Sequence, residues 1–149
     1  MPSLQSSEIR YILVQNRQGK TRLSRWYFPC SDEEKNKLLS DFYKLVNVRD
    51  PKLANFIEYR TYKIVYRRYA GLFFGMCVDT TDNELAALES IHLFVESLDA
   101  YFGNVCELDI VFHFWKCYAL MDEMFLTGEI QETSKKIVLK RMSDLDRLN

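Results

Sequence analysis

Hydrophobic and polar positions at the start of the chain predict a β-hairpin. Residues 9–16 (IRYILVQN) are rich in β-branched and aromatic side chains, and residues 21–28 have the same character. The glycine-containing segment 17–20 separates these two runs, and Pro29 ends the second one. The two predicted strands are therefore expected to pair antiparallel.

A helix is predicted directly after the hairpin. Residues 31–34 (SDEE) form an S-x-x-E capping box with three acidic residues at the positive end of the helix dipole. Apolar side chains then recur three and four positions apart, at Leu38, Leu39, Phe42, Leu45 and Val46. The sequence at 49–51 (RDP) is expected to stop the helix.

Strands come next, and helices follow them. Three runs have strand character: 56–60, 63–69 and 72–79. Three helices are predicted after them: one from a capping box at 81–84 to Gly103, one from Leu108 toward Gly128, and a weaker one over 135–148. The order β-β-α-β-β-β-α-α-α predicts an α+β protein, with one antiparallel sheet flanked by helices.

Length and charge limit the possible functions. A chain of 149 residues with 48 % hydrophobic residues suits a single domain, which we expect over 9–149, after a disordered polar head at 1–8. The head has neither the basic nor the apolar segment of a secretory signal, and no apolar run is long enough to span a bilayer. Net charge is −1, so no global field attracts nucleic acid. Any recognition of anions must be local.

Metal, cofactor and enzyme chemistry are not expected. The cysteines Cys30, Cys77, Cys106 and Cys117 lie in separate segments without C-x-x-C spacing, which favours free thiols. His92 and His113 are interpreted as hydrogen-bonded structural residues, and they are too few for a zinc site. No nucleophile is paired with a base, so we predict no catalysis.

One short string imitates a nucleotide-binding motif. Residues 19–21 (GKT) resemble the end of a P-loop, but the first glycine of that motif is replaced by Val14. The string also lies in a predicted hairpin, where no helix begins. Nucleotide binding is therefore not expected.

Two adjacent arginines stand in an otherwise apolar strand. Arg67 and Arg68 are costly to bury unpaired, so at least one must reach solvent or an acidic partner. Ala70 and Gly71 follow them and lack bulk, which predicts a shallow hollow beside a cationic rim. Such a hollow suits an acidic and aliphatic ligand. The alternative is an edge strand with solvated arginines and a turn glycine.

A second group of basic residues lies on the first hairpin: Arg17, Lys20, Arg22 and Arg25. Solvated strand faces and edge protection by charge would explain it, as would contact with acidic peptides, a membrane surface or a larger protein chain. Arg22 and Trp26 share strand parity, so the guanidinium is expected near an aromatic wall.

Several longer strings resemble the small, sigma-type chains of clathrin adaptor complexes. They are residues 16–23 with Trp26 and Tyr27, 66–72, 104–109, and 122–125 with Gly128 and Glu129. The resemblance covers residues 9 to about 139 and implies a longin-like, five-stranded antiparallel sheet flanked by helices. Residues 15–17, 55–60 and 66–72 look most like the plasma-membrane type 2 sigma chain, while 82–85, 101–103 and 133–136 also look like the Golgi and endosomal type 1 chain.

This resemblance implies a non-catalytic subunit of a heterotetramer with a large chain (alpha-type, else gamma-type), a beta chain and a mu chain. Such sigma chains bind acidic dileucine signals, [DE]xxxL[LI], of membrane cargo at clathrin-coated pits on the cytoplasmic face of the plasma membrane. A type 1 chain would act at the trans-Golgi network and endosomes. A free-standing longin-like traffic regulator is the third alternative.

The resemblance also implies a set of site residues. The dileucine pocket would consist of Ala70, Leu72, Val95, Asn104, Val105, Leu108 and Ile110. Ile110 stands where leucine is usual in the endocytic chain, a change that roughly keeps volume. Arg22 would bind the acidic residue of the signal, beside a second arginine from the large subunit. No role is predicted for Arg67 and Arg68 themselves.

Overall fold

The computed structural model describes residues 9–48, 55–79, 84–125 and 135–148. The first half of the chain contains β1 (Ile9–Asn16), β2 (Thr21–Trp26), α1 (Asp32–Asn47), β3 (Phe56–Tyr59), β4 (Tyr62–Tyr69) and β5 (Leu72–Asp79). The second half contains α2 (Glu84–Phe102), α3 (Glu107–Phe112), α4 (Phe114–Met124) and α5 (Lys135–Leu148). The predicted order of elements and the α+β class are confirmed. The polar head, the helix stop at 49–51 and residues 81–83 of the predicted capping box lie outside the described residues.

The five strands form one sheet in the order β2-β1-β5-β4-β3. Every neighbouring pair in it is antiparallel. Strand β5 lies at the centre, and its residues from Leu72 to Val78 are all buried. A strand covered on both faces loses the polar alternation of a half-exposed one, which explains this continuous apolar run. No helix in the described ranges is long and apolar enough to cross a membrane.

Helix α1 covers one face of the sheet. Ser31 caps it, because its Oγ accepts a hydrogen bond from the Glu34 backbone at 3.2 Å. The fully buried Phe42 packs over the sheet, and its ring occupies the space where a side chain at Gly75 would stand. The glycine in β5 is therefore what allows α1 to approach the sheet this closely.

The opposite face carries the larger core. Helices α2 and α4 pack there through buried residues such as Phe94, Leu98, Leu120 and Met121. On the sheet they meet Val14, Val65, Phe74 and Met76, among others. The sheet thus lies between α1 on one face and the layer of α2 and α4 on the other.

The helix predicted from Leu108 toward Gly128 is present as two pieces, because the chain breaks into α3 and α4 at His113. This residue leaves the helical region at φ −126° and ψ 38°. Its ring stacks on Phe102 of α2 with 5.8 Å between centroids, and its buried Nδ1 has no hydrogen-bond partner among the described residues. The Nδ1 of His113 is thus packed without a hydrogen bond, whereas His92 pairs with Glu96 as expected.

Candidate functional site

The Ala-Gly step after the paired arginines is a tight β-hairpin turn. Tyr69 of β4 pairs with Leu72 of β5, so Ala70 and Gly71 form a two-residue loop. Both have positive φ, 51° and 78°, as a type I′ turn requires. The glycine at this point is therefore explained by backbone conformation.

The expected hollow with a cationic rim is present at this turn. A cavity of about 360 Å³ is bordered by Ala70, Gly71 and Leu72, and its rim includes Arg17 and Arg68. The Arg17 side chain lies over the turn glycine. The other five predicted pocket residues do not line this cavity.

Arg68 has a structural role that the sequence did not suggest. Its Nη2 donates a hydrogen bond to the carbonyl of Val46 at 3.1 Å, near the C-terminal end of α1. A cation there offsets the negative end of the helix dipole. The guanidinium also lies over the ring of Phe73, 5.2 Å from its centroid. Arg68 thus fastens α1 to the sheet.

Four predicted pocket residues come together in the core between the sheet and the helical layer. Leu72, Val95, Val105 and Ile110 are each at most 5 % exposed and belong to one apolar cluster. They come from β5, α2, the α2–α3 loop and α3. Their side chains pack as part of the protein's own core.

The other three predicted pocket residues, Ala70, Asn104 and Leu108, are exposed, and Leu108 on α3 is 61 % exposed. We call the four buried residues the apolar cluster, and Asn104 and Leu108 its rim. A ligand would meet the rim first, since the cluster itself is filled by protein atoms.

One carboxylate ties the rim to the β4–β5 hairpin. Asp99 Oδ1 accepts hydrogen bonds from the Tyr69 hydroxyl at 2.7 Å and from the Val105 backbone at 3.0 Å. The Asp99 carbonyl also accepts from the Asn104 backbone at 3.0 Å. Asp99 therefore holds the α2–α3 loop against the hairpin.

A β-bulge orients Arg22. Val14 pairs with Leu23, but Gln15 pairs with Thr21, so Arg22 is the extra residue of β2. A bulge turns the side chain away from the direction that simple alternation gives. The predicted neighbourhood of Arg22 and Trp26 is wrong for this reason: Trp26 packs on Tyr11, with ring centroids 5.1 Å apart, while Arg22 contacts α3.

Arg22 meets an acidic residue of its own chain. Its Nε donates to Glu107 Oε2 at 2.7 Å, and the same oxygen accepts from Asn16 Nδ2 at 3.0 Å. The hydrogen bonds from Asn16 and Arg22 hold the pKa of the Glu107 carboxyl below its usual value. Glu107 is therefore ionised at neutral pH.

A second arginine of β2 forms a similar pair. Arg25 Nη2 donates to Asp122 of α4 at 2.8 Å, and its guanidinium lies 4.6 Å from the centroid of Tyr118. The basic residues of the first hairpin are therefore partly bound to helix carboxylates rather than simply solvated.

The buried thiols are not reactive. Desolvation raises the pKa of both Cys77 and Cys117 to about 12, so they stay protonated at neutral pH. Among the described residues, no three His, Cys, Asp or Glu side chains are grouped closely enough to hold a metal ion.

Sequence reasoning missed Asn16, Tyr69, Asp99 and Glu107. Each acts through a partner far along the chain: 85 and 91 residues separate Glu107 from Arg22 and Asn16, and 30 separate Asp99 from Tyr69. The only local signal was the glycine at 103, whose φ of 67° marks a sharp end of α2 before the loop.

The chain thus forms a five-stranded antiparallel sheet between helices, with the apolar cluster in the core on its α2 and α4 side. A family model described as "Clathrin adaptor complex small chain" matches residues 8–149. The chain therefore belongs to the family of clathrin adaptor small chains.

Two relatives from Dictyostelium discoideum differ in how similar they are to this chain. The chain is 65 % identical to its "AP-2 complex subunit sigma", over 94 % of this chain and 99 % of that protein. It is 52 % identical to its "AP-1 complex subunit sigma-2", over 93 % of this chain and 90 % of that protein. A chain of the structure titled "Homology model of the full-length AP-3 complex in a stretched open conformation" aligns with TM-score 0.74 and 27 % identity, over 94 % of both chains.

Proposed function

We propose that this chain is the sigma subunit of an AP-2-type clathrin adaptor and binds acidic dileucine signals, [DE]xxxL[LI], without catalysing a reaction. The leucines would enter between the rim and the apolar cluster, and Arg22 would bind the acidic residue. The chain would work at the plasma membrane, attached peripherally through the complex.

The geometry of α3 is the observation that carries this proposal. The first residue of this helix, Glu107, contacts Arg22, while Ile110 belongs to the apolar cluster. Three helical residues correspond to about 4.5 Å of axial rise. The guanidinium and the apolar cluster therefore both contact one short helix, and an extended peptide whose acidic residue stands four positions, at most about 14 Å, before its first leucine would bridge them.

The energetics are compatible with a reversible sorting signal. Each leucine side chain buried from water contributes up to about 1.5–3 kcal/mol. Ordering the peptide and parting the rim from the packed cluster would offset part of this gain. Micromolar-class affinity is the expected result.

Exposed aromatic residues support membership in a larger complex. Phe112, Phe114 and Trp115 around the α3–α4 break are 64 %, 52 % and 51 % exposed. Clustered apolar side chains of this size are typical of protein interfaces. We propose that the large alpha-type chain is the direct neighbour, with beta and mu chains in the same heterotetramer.

Peptide binding by the assembled complex tests the dileucine proposal. The full chain is produced together with its large, beta and mu chains, and titrated with a peptide carrying [DE]xxxLL and with its LL→SS counterpart. Leu108→Ser should weaken binding of the first peptide roughly fivefold, the effect of about 1 kcal/mol of lost apolar contact.

A matched control is available on α2. Leu85 is 66 % exposed, close to the 61 % of Leu108, but it lies at the far end of the helix from Val105. Leu85→Ser should leave binding unchanged. Equal effects of the two substitutions, or equal binding of the LL and SS peptides, would refute the pocket.

The type of adaptor is tested by the large chain that co-purifies with the tagged protein. An alpha-type chain supports the AP-2 assignment. A gamma-type chain would replace it with the type 1 adaptor, and a monomer free of large chains would contradict both.

A further inference from the structure

The acid-binding arginine of the proposed site already has a carboxylate partner in its own chain. Glu107 Oε2 lies 2.7 Å from Arg22 Nε, with the two side chains 32 % and 23 % exposed. An acidic peptide residue would therefore approach a guanidinium that is not a bare cation.

The pair is held by a pre-organised polar group. Asn16 is only 7 % exposed, and its Oδ1 accepts hydrogen bonds from the backbones of Gln18 and Lys20, both at 2.9 Å. These bonds fix the amide so that its Nδ2 donates to Glu107 at 3.0 Å. The carboxylate is thus fixed in position from the β1–β2 turn, independently of Arg22.

The contact uses one edge of the guanidinium. Glu107 is bound through Nε, whereas bidentate recognition of a second carboxylate needs the two terminal nitrogens or one of them with Nε. A peptide carboxylate on the same guanidinium would repel Glu107. Its affinity would then depend on the charge at position 107 as well as on Arg22.

We propose that Glu107 is a specificity-determining residue: its negative charge competes with the acidic residue of the peptide for Arg22 and so limits how strongly acidic dileucine peptides are preferred over neutral ones. This inference rests on the proposed function. The pair with Glu107 also explains why the half-buried Arg22 is stable without a ligand, since leaving such a cation unpaired is unfavourable.

Glu107→Gln separates the charge from the shape. Glutamine keeps an oxygen that can accept from Asn16 and Arg22, but it has no charge. In the assembled complex, we expect the affinity for an ExxxLL peptide to rise about two- to fivefold, the range of a partly exposed ion pair. The affinity for a QxxxLL peptide should stay within error. The gain should shrink as salt is raised.

Asp122→Asn is the matched control. It removes a carboxylate from another β2 arginine, Arg25, at the similar distance of 2.8 Å. Arg25 lies three residues from Arg22, about 10 Å along the strand, where exposed charges are largely screened. This variant should not change the ratio of affinities for the two peptides.

A double-mutant cycle tests whether Glu107 acts through Arg22. With Arg22→Ser in place, Glu107→Gln should no longer raise the preference for the acidic peptide. Glu107→Asp keeps the charge but shortens the side chain, so it should give an intermediate preference. That variant also tests the proposal if the glutamine variant fails to assemble.

The outcomes are distinguishable. If the unaltered complex binds neither peptide, the proposed function is wrong, and this inference with it. If it prefers the acidic peptide but Glu107→Gln lowers that preference or leaves it unchanged, only the inference is overturned. Equal gains for both peptides would also overturn it, since they would indicate a change in packing rather than in charge.

Discussion

Replacing Asp99 by alanine should loosen the junction between the β4–β5 hairpin and the loop before α3. Asp99 Oδ1 accepts hydrogen bonds from the Val105 backbone at 3.0 Å and from the Tyr69 hydroxyl at 2.7 Å. Alanine removes both acceptors, while asparagine keeps an oxygen of similar position and removes the charge.

The size of the effect follows from the burial of Val105. This residue is 2 % exposed, so its amide has little access to water once its acceptor is lost. A buried donor left unsatisfied costs about 1–3 kcal/mol. We expect Asp99→Ala to lower the free energy of unfolding by that amount, and Asp99→Asn to lower it clearly less.

Chemical denaturation measures the global loss, and hydrogen exchange locates it. The Val105 amide should exchange faster in Asp99→Ala than in Asp99→Asn, because local opening of the loop is then easier. Tyr69→Phe removes the other hydrogen bond and should leave this amide protected. If the alanine and asparagine variants match in both measurements, Asp99 does not hold the loop.

Three further substitutions test the fold and the charge network. Gly75→Ala should lower the free energy of unfolding, measured in denaturant, by about 1–3 kcal/mol, because a methyl group there overlaps the Phe42 ring. Adding Phe42→Leu should recover part of this loss. If the losses of the two single variants simply add in the double variant, the overlap is contradicted. Gly71→Ala should cost about 1 kcal/mol through its φ of 78°, since a Cβ there meets only ordinary contacts; unchanged stability would refute the strain. The folded-state pKa of Glu107 is lowered, so its ionised form stabilises the fold above pH 4.5 and this contribution is lost as pH falls through the folded-state pKa. In Glu107→Gln, the melting temperature should therefore fall less steeply below pH 4.5. If the pH profile of the melting temperature is unchanged, Glu107 does not contribute in this way.

Regular elements were predictable because their patterns are local. Strand β4 was expected at 63–69 and is found at Tyr62–Tyr69, and α5 begins and ends where its spacing predicts, at Lys135 and Leu148. The break at His113 was missed for a physical reason. One non-helical residue hardly shifts the apolar spacing on either side of it, so periodicity continues through the break.

The candidate site was predictable only in part. Resemblance identified Leu72, Val95, Val105 and Ile110, and the structure brings these four into one cluster. Strand parity failed at Arg22, because a bulge adds a residue to β2 and changes the direction of its side chain. No local pattern in the sequence indicates such an insertion.

Some of the predicted pocket residues have a strained backbone conformation and others do not. Among the described residues, Arg60, Ala70 and Asn104 are the non-glycine residues with positive φ, and the last two are predicted pocket residues. A left-handed conformation disfavours most side chains, while asparagine tolerates it best and alanine at least avoids β-branching. Asn104 therefore has a sufficient structural reason for its identity, whatever binds beside it. Leu108 has no such reason: a leucine that is 61 % exposed contributes little to the core. If the chain binds leucine side chains, Leu108 is thus the candidate residue whose substitution bears most directly on recognition rather than on folding.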